Sequence, residues 1–87
     1  MKIKKDFILR YDAGSYVVVP VGKLTLDFNA IITLNESGAL LFEMLQNGAE
    51  REDLIAKLLD EYDVTPEKAT EDVDIFLKKV READVLE

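Results

Sequence analysis

Neither cysteine nor histidine occurs among the 87 residues of this chain, and tryptophan is missing as well. Without cysteine there can be no disulfide framework, thiolate zinc site or iron–sulfur cluster. Without histidine the commonest metal ligand and the commonest general base are both gone. Carboxylates are the remaining candidate ligands, clustered as Glu50-Arg51-Glu52-Asp53, Asp60-Glu61-Asp63 and Glu71-Asp72-Asp74. The first and third clusters fall in or near early helix turns, where negative charge complements the helix dipole. The second lacks the regular oxygen ligands and central glycine of a calcium loop. Ser15, Ser37 and four threonines have no histidine or cysteine to activate them, and nothing pairs a lysine with a serine as base. The four glycines, at positions 14, 22, 38 and 48, are scattered and form no nucleotide loop. The expectation is a protein with no catalytic residue, no metal and no cofactor.

Long apolar runs are lacking too. The longest, Tyr16–Val21, is far too short to cross a bilayer. The basic start, MKIKKDFILRYD, has only a three-residue apolar run and no small-residue cleavage site, unlike a signal peptide. A reduced, cytoplasmic protein with no membrane partner is expected. Residues 1–35 carry five Lys/Arg against three Asp/Glu, whereas residues 36–87 carry six against fifteen. So acidic a C-terminal half would be repelled by phosphates, which argues against nucleic acid as a partner. The length suits one domain over residues 1–87, burying ~60–65% of its unfolded surface. With 48% hydrophobic residues the core should be modest.

Phe7–Tyr11 is a short β-type run, and Asp12-Ala13-Gly14-Ser15 supplies turn residues, Gly14 being free to take positive φ. Ser15–Val19, rich in β-branched and aromatic residues, reads as the returning strand of a hairpin. Pro20 cannot donate to a ladder, so pairing should weaken there. Residues 21–29 read as an extended connection with some strand character, and Ala30–Leu34 as a clearer strand. Asn35 suits an N-cap for a helix over about 36–46, with Gly48 just past its end. A second helix is expected over about 51–61, with Leu54, Ile55, Leu58 and Leu59 on one face. Thr65 as N-cap and Pro66 at the first helical position start a third, running to about Ala83. Its stripe is Ala69, Val73, Phe76, Leu77 and Val80. Val85-Leu86 should tuck against the core. The order predicts an α+β, winged-helix-like fold: a three-stranded antiparallel sheet followed by three helices.

In such a meander the third strand keeps one free edge. Ala30, Ile31, Ile32, Thr33 and Leu34 include no charge, Pro or Gly to blunt it, so an extended peptide could add there as a further strand. Period-two alternation places Ile32 and Leu34 inward and Ile31 and Thr33 outward. On the third helix, Lys68, Asp72, Ile75, Lys79 and Glu82 form a stripe beside the core-facing one. One apolar residue among charges of both signs suits a groove wall. The plain alternative is that Ile75 is an isolated exposed aliphatic. The edge has its own alternatives, cover by the Val85-Leu86 tail or by a second copy of the chain in a homodimer. A winged-helix regulator binding DNA is the competing function. Yet residues 51–62 hold two cations and four acids, and 65–81 four of each, without the cationic excess of a groove reader.

The LNE-S/T-G junction at Leu34–Gly38, following a Tyr-Val-rich hairpin, resembles the PqqD-like family, also called RiPP recognition elements. FILRYDAGSYVVVPVG is similar to the family's first hairpin, and AIITLNESGALLFEML to its third strand and first helix. VTPEKATEDVDIFLKKVREADVLE is similar to its last helix, with Val73, Phe76 and Leu77 at the V-x-x-F-L core spacing. Members often carry Gly where Asp84 stands. The resemblance implies a non-enzymatic peptide chaperone. It would bind the leader segment of a ribosomally made precursor peptide and serve a modifying enzyme, often a radical SAM maturase. It further implicates Ala30, Ile31, Ile32, Thr33, Leu34, Asp72, Ile75, Phe76 and Lys79 in peptide binding.

Overall fold

The structure is a computed structural model that describes residues 1–22 and 32–87. Strands β1 (Phe7–Asp12), β2 (Ser15–Pro20) and β3 (Ile32–Leu34) form one antiparallel sheet in that order. Helices α1 (Glu36–Gln46), α2 (Arg51–Glu61) and α3 (Pro66–Glu82) follow. This is the expected α+β arrangement. Of the third-strand segment, Ala30 and Ile31 lie outside the described residues, as does the expected extended connection from residue 23 onward.

Asp12-Ala13-Gly14-Ser15 closes the hairpin. Ala13 and Gly14 both have positive φ, 51° and 82°, the pattern whose twist matches flanking strands. Pairing then runs without interruption from Asp12↔Ser15 to Phe7↔Pro20. The expected weakening at Pro20 does not occur. Proline lacks only an N–H, and β3 pairs with Tyr16–Val18 alone, so among the described residues no ladder bond is asked of it. Directly opposed residues share a face, so Leu9, Val18 and Ile32 form one row across the sheet and Tyr11, Tyr16 and Leu34 the next. Val18, Ile32 and Leu34 are buried on the helix side, while Thr33 is exposed. The predicted alternation of β3 is therefore the observed one.

Each helix begins where its capping chemistry places it. The Asn35 side chain accepts from the Gly38 N–H at 2.8 Å and from the Ser37 hydroxyl at 3.1 Å. Gly38 is buried, and a Cβ there would lie 3.1 Å from that Asn35 oxygen and 3.3 Å from the Leu34 Cβ. The start of α1 is thus pressed directly onto the end of β3. At α2 the Asp53 carboxylate accepts from the Glu50 N–H at 2.9 Å. At α3 the Thr65 hydroxyl accepts from the Lys68 N–H at 3.1 Å, with Pro66 in the first turn.

The core joins Val18, Ile32 and Leu34 to Leu41, Phe42 and Leu45 of α1 and Leu54 and Leu58 of α2. From α3 it takes the predicted stripe Ala69, Val73, Phe76, Leu77 and Val80. The chain ends close it from below. Ile3 and Leu86 form an antiparallel bridge, the Lys4 N–H donates to the Val85 carbonyl at 2.8 Å, and Ile3 and Val85 are buried. Asp84 turns the chain into this bridge with φ of 59°. Aspartate tolerates the left-handed region better than most residues. Lys4 holds it through its carbonyl at 3.0 Å and its carboxylate at 3.2 Å. No helix among the described residues is long and apolar enough to cross a membrane.

Ala13 has no side-chain group to offset its left-handed backbone. Ala13→Asn should therefore raise stability by about 0.5 kcal/mol or slightly more in chemical denaturation.

Candidate functional site

Beside β3 the sheet ends, because no described strand pairs with its far side. The C-terminal tail does not seal that edge, since Val85 and Leu86 are engaged with the N-terminal segment instead. A groove of about 520 Å³ lies there, walled by β3 on one side and α3 on the other. Thr33, Leu34 and Asn35 contribute from the strand side, and Ser37, Gly38 and Leu41 from α1. Lys68, Asp72, Ile75, Phe76 and Lys79 contribute from α3.

The α3 wall follows from helix geometry. Burial of the Ala69–Val80 stripe fixes the rotation of the helix about its axis. Positions 68, 72, 75 and 79, spaced by four, three and four, must then share the neighbouring face. Ile75 is 60% exposed there, whereas Phe76 is 5% exposed and belongs to the core. The buried Leu34 and Leu41 add to the groove's apolar surface. Lys68 and Asp72 form an ion pair at 3.0 Å. The bond to that carboxylate and its charge, with Glu71 adding, hold the Lys68 ammonium above its ordinary range. On the helix's other side Arg51 donates to both Asp74 carboxylate oxygens, at 2.8 and 3.0 Å, and ties α2 to α3.

Lys79 reaches across the groove, its Nζ donating to the Thr33 carbonyl at 2.8 Å. The edge is thus not as bare as its residue types imply. One backbone acceptor of β3 is already held, by a cation arriving from 46 residues away in the chain. In an antiparallel strand the N–H and C=O of a residue point to the same side. Contact from the groove side therefore turns both polar groups of Thr33 toward the groove, and leaves Ile32 and Leu34 to carry the bonds to β2.

Of the residues expected to form a site, Thr33, Leu34, Asp72, Ile75, Phe76 and Lys79 come together around this groove. Ile32 is buried in the core and does not line it, while Ala30 and Ile31 are outside the described residues. Lys68 lines it as well, as its place in the expected groove-wall stripe predicts, whereas Glu82 of that stripe does not. Asn35, Ser37, Gly38 and Leu41 were not foreseen as lining.

Fold and groove together define a small α+β unit whose sheet edge, unpaired among the described residues, faces a helix. The chain belongs to the PqqD family: the family model described as coenzyme PQQ synthesis protein D (PqqD) matches residues 12–86. No curated protein matches the sequence. Two solved structures share the fold. TbiB1 in complex with the TbiA(beta) leader peptide is 20% identical, with a TM-score of 0.78 over 100% of this chain and 95% of that one. A lasso peptide synthetase B1 complexed with the leader peptide is also 20% identical, with a TM-score of 0.70 over 93% and 89%.

The groove's exposed wall should be separable from the core beneath it. Ile75→Ser should change unfolding free energy by no more than about 0.5 kcal/mol, whereas Phe76→Ala should cost about 3–5 kcal/mol. Urea titrations of both variants check this.

Proposed function

We propose that this chain binds the leader segment of a ribosomally made precursor peptide as a fourth strand and presents it to a modifying enzyme. The observation that carries the proposal is the edge of β3, unpaired among the described residues and facing α3 across the groove. An extended peptide placed there finds the Thr33 N–H and carbonyl on one side and the Ile75–Phe76 surface on the other. Main-chain hydrogen bonds would give affinity, and the helix wall would give register. Membership of the PqqD family supports this reading, as do two similarly folded proteins solved with leader peptides.

The chain itself catalyses nothing in this account. Its contribution is proximity: a leader held here raises the effective concentration of the attached core at a partner's active site. That partner is a modifying enzyme, a radical SAM maturase being the leading candidate. Because the leader must be released after modification, an affinity near 1 μM, about 8 kcal/mol, fits the task.

The test uses a peptide enriched from a displayed library of random 12-residue sequences, with affinity measured by fluorescence polarisation. Thr33→Pro removes the groove-facing N–H while sparing the bonds to β2, and Ile75→Ser removes the exposed apolar surface. Each should weaken binding about tenfold or more in a protein that still unfolds cooperatively. Unchanged affinity in both variants would contradict the groove as the site. Binding should also be only weakly salt-dependent, unlike binding to nucleic acid.

A further inference from the structure

Among the described residues, none neutralises the charge that Lys79 carries in the groove. The other groove cation, Lys68, is paired with Asp72 at 3.0 Å. Lys79 forms no ion pair among the described residues and donates instead to the neutral carbonyl of Thr33. Among the described residues the groove therefore has a local excess of one positive charge, on a chain whose net charge is −7.

The same contact makes strand addition an exchange. An incoming peptide N–H needs the Thr33 carbonyl that the ammonium now holds. Once displaced, that ammonium is left in a groove from which the peptide has removed water, where an unpaired charge is costly. A carboxylate on the peptide would take it up through a charge-assisted bond, stronger than the one given up.

Geometry places that carboxylate. Lys79 meets Thr33, while Asp72 lies with Asn35 and Ser37 around a smaller adjoining hollow. Helix α3 thus runs antiparallel to β3 along the groove. Ile75 and Lys79 are four residues apart, about 6 Å along the helix. Two residues of an extended strand span about 6.6 Å and keep their side chains on one face.

We infer that Lys79 is a specificity-determining residue that selects an Asp or Glu on the bound peptide, two positions from the apolar side chain seated against Ile75. This rests on the peptide-binding reading of the groove. In the unoccupied protein Lys79 guards the Thr33 carbonyl; in the complex it reads the guest's charge.

The experiment pans the same random 12-residue library against the full chain and its Lys79→Glu and Lys79→Met variants. Lys79 is exposed, and thermal melts matching the unsubstituted chain would show that both variants fold. The unsubstituted chain should enrich Asp or Glu over Asn or Gln about three- to tenfold, at a fixed two-residue offset from a large apolar residue. Lys79→Glu should turn that preference to Lys or Arg, and Lys79→Met should abolish it while keeping the apolar signal. An apolar signal with no charge preference, or an acid preference that survives in Lys79→Met, would overturn the inference and leave the peptide site standing. Failure to enrich any peptide would overturn both.

Discussion

The burial of one helical stripe governs the rest of this structure. Ala69, Val73 and Val80 of α3 are fully enclosed, and Phe76 and Leu77 nearly so, against α1, α2 and the sheet. A stripe of that width leaves α3 no rotational freedom, because turning the helix would lift several apolar side chains into water at about 1.5–3 kcal/mol apiece. With rotation fixed, Lys68, Asp72, Ile75 and Lys79 must look toward the open side of β3. The groove is therefore a consequence of the core and needs no packing of its own.

The strand side is positioned just as firmly. The Asn35 cap, the close approach at Gly38 and the buried Leu34 weld the end of β3 to the start of α1. Neither wall depends on the exposed residues between them. Such an arrangement lets groove residues vary for recognition while the fold stays constant.

Much of this was legible in the chain because the signals are local. Asn35, Thr65-Pro66 and Gly48 mark helix ends through chemistry acting within a few residues. The stripe from Ala69 to Val80 marks its own buried face by period. What escaped is non-local or conformational. Pairing of Ile3 with Leu86 joins the chain ends through a single bridge, too short to leave a pattern. Ala13 with positive φ follows from the hairpin's twist, not from alanine's preference. The Lys79 contact with Thr33 depends on how far apart two elements settle, which no spacing within either element encodes. It changes the picture of the edge from vacant to guarded.

The central claim is that the backbone of Thr33, facing the groove, receives a guest strand. Amide hydrogen exchange at Thr33, read by NMR in the free chain and with a library-selected peptide bound, tests it most directly. The account predicts rapid exchange when the groove is empty and strong protection of this amide in the complex. A Thr33 amide already protected in the free protein, or one whose exchange is unmoved by saturating peptide, would contradict it.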